Sequence, residues 1–183
     1  MLDNALIKLV RDTIIAQEGT AGIEGTPIKQ AFQPTQQGVN KEPTAYFHKI
    51  HDRRRGFPQR TDVWVPDESE EGGSMVHTEA VWYETTFQIS TLSIQDPSDT
   101  EQYTASDILN LIAYILQSET TVQQLQAQGV GILRIGEVDN PYFMDDKQRF
   151  EAQPSLDFTL THKQIVTSIS PVILSTEFNI LVV

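Results

Sequence analysis

The sequence predicts an α+β fold, a mostly antiparallel β-sheet packed against two or three helices in two layers. Three observations carry this. Apolar residues recur at helical spacing over residues 3–17 and again from Thr104 to Leu116. A long stretch from Val76 to Ile94 is rich in β-branched and aromatic residues and alternates in polarity. At the end of the chain, Val172, Leu174, Thr176, Phe178, Ile180 and Val182 share one parity, as a strand requires. One helical layer against one sheet is the economical way to bury such faces.

The first helix is predicted over 3–17, with Asp3 or Asn4 as its cap and Leu6, Leu9, Val10 and Ile14 on one stripe. Gly19, Gly22, Gly25 and Pro27 are expected to stop it and to form a flexible connector, so that residues 1–27 precede a core of 28–183. A short strand from Ile28 to Gln33 precedes a loop between Pro34 and Pro43. Two strands, Ala45–Ile50 and Asp62–Val65, are then expected to flank a turn at Gly56-Phe57-Pro58. Residues 66–74 hold an acidic run and read as an exposed loop. In the long strand that follows, Val81, Tyr83, Phe87 and Ile89 share a face, whereas Leu92 and Ile94 fall on the other parity. That slip predicts a bulge or twist near Ser90-Thr91.

The clearest helix begins at Thr104, with Asp107 three residues on and a stripe of Ile108, Leu111, Ile112, Ile115 and Leu116. Ser118 is placed to cap a second helix reaching Gln128, and Gly129 to end it. A strand from Ile132 to Val138, a turn at Asn140-Pro141, a strand through Leu156, Phe158 and Leu160, and the terminal strand complete a single domain spanning 1–183. The terminal strand is apolar on both faces and needs a cover, such as a neighbouring subunit.

With 183 residues, 25 acidic and 13 basic, the net charge of −12 opposes tight binding to nucleic acid. No cysteine is present, which excludes disulfides, thiol nucleophiles and thiolate metal sites. The start lacks a secretory leader and no stretch approaches a bilayer span, so a soluble cytosolic chain is expected.

Chemistry-bearing patterns are weak. His48 and His51 lie three apart beside Asp52; on a strand that spacing sends them to opposite faces, and they read as surface or interface residues. His77 and His162 have no ligand-spaced neighbours. Asp145-Asp146 and the Asp67, Glu68, Glu70, Glu71 cluster lack the accompanying groups of a hydrolase or nuclease. Gly129-Val130-Gly131 follows a helix instead of opening one, and no nucleophile elbow or phosphate loop occurs. No enzyme, metal or cofactor is expected.

Charge segregation is the strongest local signal. Five of the 13 basic residues fall between Lys49 and Arg60, directly before the acidic run. Arg53, Arg54 and Arg55 can form a solvated hairpin tip, a contact for an acidic surface, or, with Tyr46, Phe47 and Phe57 interleaved, a single-strand binder. The contact reading is favoured, with Arg60 and Trp64 in the same segment. Among the aromatic residues Trp64, Trp82, Tyr83, Tyr142 and Phe143, Trp82 is the best interface candidate because its parity opposes Val81, Tyr83 and Phe87.

Several stretches together resemble the neck or tail terminator family of long-tailed bacteriophages, also called gateway proteins. They are Glu42-Pro-Thr-Ala-Tyr-Phe-His-Lys-Ile, Pro58-Gln-Arg-Thr-Asp-Val-Trp64, Tyr83-Glu-Thr-Thr-Phe-Gln-Ile, Thr104-Ala-Ser-Asp-Ile-Leu-Asn, and Asn140-Pro-Tyr-Phe through Phe158-Thr-Leu-Thr-His. The similarity covers about residues 28–183. It implies a non-enzymatic virion protein, made in the host cytoplasm, that forms a homohexameric ring at the head–tail junction. Such a ring ends the tail tube, contacts the collar or connector, the tube and the sheath, and passes DNA without binding it specifically; neither cofactor nor membrane is involved. The basic turn would then serve subunit or collar contacts and Asp67, Glu68, Glu70 and Glu71 would line the channel. A binding module that docks one partner without closing a ring, an adaptor or minor-tail protein, is the alternative.

Overall fold

The computed structural model describes residues 2–30, 43–66, 73–93, 98–144 and 150–171. Helix α1 (Asp3–Ala21) is longer than its sequence pattern, because Gly19 is carried within it and the chain turns only at Gly22, whose φ of 79° suits glycine. Leu2, not Asp3 or Asn4, occupies the cap position, and no side chain caps it. Leu6, Val10 and Ile14 are fully buried. Strand β1 (Ile28–Gln30) pairs in parallel with Ala45–Phe47.

The two strands expected around a basic turn are one. Strand β2 runs unbroken over Thr44–Pro66 and pairs antiparallel with β3 (Gly73–Leu92) along its whole length. Gly56-Phe57-Pro58 forms no hairpin; it is taken up as a bulge where the register shifts between Arg55 and Gln59, with Gly56 at φ 71°. A second shift lies between Lys49 and His51. The bulge foreseen at Ser90-Thr91 is absent: β2 holds unbroken register to β3 through both residues, β7 does so as far as Ser90, and both residues are buried. Thr91 Oγ1 donates to the Ala105 carbonyl at 2.6 Å, so the change of parity reflects a strand end enclosed on both faces.

Helix α2 (Ala105–Gln117) carries the expected capping box: Asp107 N–H donates to Thr104 Oγ1 at 3.1 Å and Thr104 N–H to Asp107 Oδ2 at 3.0 Å. Ser118 caps α3 (Glu119–Ala127), and Gly129 leaves it at φ 73°. Strand β4 (Val130–Asp139), a two-stranded pair β5 (Tyr142–Met144) with β6 (Phe150–Ala152), and strand β7 (Ser155–Pro171) follow. The β5–β6 pair had no sequence signal. The acidic run 67–71, the 31–42 segment and the terminal strand 172–183 lie outside the described residues, while Pro66, Gly73 and Ser74, expected in a loop, belong to strands.

The main sheet has the order β1-β2-β3-β7-β4, antiparallel except for β1. The helices cover one face of its lower half. Ile108, Leu109, Ile112, Ile115 and Leu116 of α2 join Leu125 of α3 and the α1 stripe against Ala45, Phe47, Phe87, Ile89, Leu156, Phe158 and Leu160. At its centre the rings of Phe47 and Phe87 stack 4.8 Å apart, each 5.7 Å from Phe158. Phe47 is therefore core, and unavailable to stack on a nucleic-acid base.

Candidate interaction site on a projecting arm

Beyond this core the three central strands continue without helices. Residues 51–66 of β2 and 163–170 of β7 are exposed almost throughout, and the β3 residues between them are half-buried by their neighbours alone. From Thr85 to Gly73 the arm reaches about 40 Å at the usual rise of a strand. Three strands with both faces open cannot build a dry core, so apolar residues stay on display: Phe57 at 96% exposure, Ile169 at 67%, Ile165 at 60%.

The basic segment lies along one edge of this arm. Arg55 Nε contacts Glu84 Oε1 at 3.2 Å and Arg60 Nε contacts Glu79 Oε1 at 2.9 Å, both across to β3. Arg54 Nη2 donates to the Tyr83 hydroxyl at 3.2 Å, with its guanidinium carbon 5.8 Å from that ring's centre. Arg53 projects from the opposite face to Arg54 and is exposed. The Arg60–Glu79 pair is solvated on both sides and contributes only about 0–1 kcal/mol, whereas Glu84 is largely covered and holds Arg55 from a more enclosed position. Trp82 and Trp64 are half-exposed, Trp82 with Lys163 Nζ 5.0 Å from its ring centre and Trp64 lying over Gly73, where a Cβ would strike the indole. The bulge lifts Phe57 clear of the strand. Sequence reading placed Phe57 in a turn, and its exposure was not read from the sequence.

The bulges also rearrange the histidines. His48 pairs with Gln88 and His51 with Thr86, positions of equal parity on β3, so the inserted residue brings both onto one face where an unbroken strand would have parted them. No group of three or more metal-ligating side chains is formed among the described residues. His77, which had no sequence neighbours, receives two: Asp62 Oδ1 at 2.7 Å from Nδ1 and Ser170 Oγ at 3.2 Å from Nε2. The order resembles a nucleophilic triad, but His77, Asp62 and Ser170 lie on an exposed strand face, and the set reads as a cross-strand polar ladder.

Where arm meets core, a polar chain replaces the apolar one. Thr85, fully buried, donates to Asp52 Oδ1 at 2.7 Å and lies 3.0 Å from His162 Nε2. Because the hydroxyl proton goes to the carboxylate, Nε2 must be the donor of the second bond. Lys49 Nζ reaches Asp52 and Asp3 of α1, each at 2.6 Å, and His162 stacks on Tyr83 at 5.9 Å. The hydroxyl sits between acid and imidazole and has no access to solvent, so the group is structural: it ties the root of the arm to the first helix.

A family model described as E217 gateway protein gp29 matches residues 5–172, nearly the whole described chain. The chain belongs to that gateway family. No curated protein sequence matches it. Membership supports a structural role at the head–tail junction of a phage and bears out the resemblance carried by the Glu42–Trp64 and Tyr83–Ile89 stretches. Among the described residues of this gateway protein, no helix is long and apolar enough to cross a membrane.

The junction titrates. Burial pushes the His162 imidazole below its ordinary value of 6.5, with Asp52 opposing. For Asp52, burial works upward, but hydrogen bonds from Lys49 and Thr85 outweigh it and hold the carboxyl below 3.8. A depressed histidine binds its proton more readily unfolded, so its contribution is complete above about pH 6.5 and lost as pH falls; the Asp52 contribution is lost lower, below about 3.8. Burial raises Glu18 above 4.5, which works in the opposite direction as pH falls. The melting temperature is therefore expected to hold from pH 8 to 7 and to decline as the pH falls below about 6.5. His162→Phe should flatten that decline in a thermal-shift titration; an unchanged slope would remove His162 as its source.

Proposed function

We propose that this gateway protein assembles as a homohexameric ring at the head–tail junction, ends the tail tube and passes DNA through its centre. The single observation that carries this reading is the arm: about 40 Å of three-stranded sheet, exposed on both faces, in a family of head–tail junction proteins. A surface of that kind is stable in an assembly and a liability without one. A ring of head-to-tail contacts needs two different patches on each subunit. The arginine-bearing edge, with Arg53, Arg54, Arg55, Arg60, Trp64 and Phe57, together with Trp82 beside it on β3, supplies one, facing a neighbour or the collar.

Six copies at −12 each carry −72, and a channel sharing that sign keeps a passing duplex from adhering. The run Asp67, Glu68, Glu70, Glu71 joins Pro66 to Gly73, which pair at the far end of the arm, and is the proposed lining. Collar, tube and sheath proteins are the proposed neighbours.

Mass photometry of the purified 20.6 kDa chain at low and high salt, alone and with collar and tube proteins, tests this. A species of about six chain masses is expected, and mixing in the Arg53-Arg54-Arg55→Ala variant should lower its yield beyond simple dilution. A chain that stays monomeric with every partner, and whose wild-type fraction is indifferent to the variant, is a one-partner adaptor instead.

A further inference from the structure

Lower in the sheet both edges are occupied, on one side by β1 against Ala45–Phe47 and on the other by β4 against Ser155–His162. Along the arm no described strand pairs with either edge. The two edges differ in what they allow. Strand β7 from Gln164 to Ser170 has no charged residue, no proline and no bulge, and holds unbroken register with β3. Natural edge strands usually carry such devices against unwanted pairing, so an edge without them is built to be covered. On the other side, the bulge at Gly56-Phe57-Pro58 bars pairing along the arginine stretch, but Gln59–Val65 above it is regular and has no proline.

These two segments stand at the same height. Gln59, Ala80 and Ile165 form one row across the arm; Thr61, Thr78 and Thr167 another; Val63, Val76 and Ile169 a third. Residues of these rows share one face, so both edges present a matched series: polar or aliphatic at the base, threonine, then an aliphatic residue. Both β2 and β7 are antiparallel to β3 and so run the same way. We propose that the β7 edge of one copy pairs in parallel with the β2 edge of a second copy, joining neighbouring arms into one continuous sheet. Ile169 of one copy then packs beside Val63 of the next, and the bulge marks where pairing must stop. The inference rests on the ring reading, since β7-to-β2 pairing repeats indefinitely whereas β7-to-β7 pairing ends at two copies.

The chain has no cysteine, so introduced pairs report cleanly. Thr61 and Thr167 of one chain are separated by β3, about 9.6 Å at ordinary strand spacing and beyond disulfide reach, so any bond between them must link two copies. Oxidising the assembled Thr61→Cys/Thr167→Cys variant should give a ladder of linked chains, with Thr61→Cys/Ile165→Cys covering a two-residue stagger. Each single-cysteine variant should stay unlinked. Linked dimers from Thr167→Cys alone would overturn the proposal in favour of β7-to-β7 pairing. Assemblies intact by mass photometry but unlinked in both double variants would overturn it while leaving the ring; monomers throughout would remove the ring reading as well.

As a second measure, alternation points the N–H of either Thr167 or Ser168 outward. Of Thr167→Pro and Ser168→Pro, the one that retains the far-ultraviolet spectrum of the parent should lose assembly. Retained assembly in that variant would count against edge pairing.

Discussion

Phe87→Ala is expected to lower the melting temperature by about 10 °C. The ring is fully buried at the middle of the Phe47–Phe87–Phe158 stack, and deleting a buried phenyl removes its transfer free energy and leaves a cavity, together about 3–5 kcal/mol. For a chain of this size each kcal/mol is worth roughly 2–4 °C. Phe57→Ala is the control: at 96% exposure its ring buries almost no surface, so a change within about 0.5 kcal/mol is expected. Differential scanning calorimetry distinguishes the two, and a Phe87→Ala variant as stable as the Phe57→Ala one would refute the stack as the centre of the core. The contrast also separates folding from assembly, since Phe57→Ala should weaken ring formation without touching the melting temperature of the monomer.

Thr85→Val should cost about 2 kcal/mol despite its nearly unchanged volume. It removes the oxygen that meets both Asp52 and His162, leaving the His162 Nε2 donor buried without an acceptor. Adding His162→Phe keeps an aromatic ring beside Tyr83 and removes the orphaned donor, so the double variant is expected to be more stable than Thr85→Val alone. Chemical denaturation of the two single variants and the double variant measures the coupling. Simple additivity would mean that Thr85 and His162 do not act as a unit. Because Asp52 also holds Lys49, and through it Asp3, Thr85→Val is expected to loosen the joint between arm and first helix as well as destabilise the whole chain.

Elements whose stabilising interactions are local were legible in advance. The Thr104–Asp107 capping box, the α2 stripe, the Ser118 cap and the Gly129 stop each lie within four residues of the group they serve, so spacing alone identifies them. The family was legible too, from strand and turn patterns shared over much of the chain, and the match over residues 5–172 bears it out.

The joining of β2 across Gly56-Phe57-Pro58 was not. The glycine and proline of this segment are turn-forming in isolation, and only the partner strand β3, continuous through Trp82, Val81 and Ala80, decides that the segment bulges instead of reversing the chain. A separate one-residue shift near Lys49 places His48 and His51 together, and register puts Asp62 and Ser170 on His77 from 15 and 93 positions away.

By itself, then, the sequence determined the α+β class, the caps of α2 and α3 and the charge segregation between Lys49 and Glu71, because each is written in composition or in short-range periodicity, and its resemblance over longer stretches pointed to the gateway family. Only the tertiary structure decided that the basic segment is the edge of a long arm, which arginines meet which glutamates, and how the rows of β2, β3 and β7 line up across it. Those are properties of cross-strand register, and register is fixed by pairing between residues far apart in the chain.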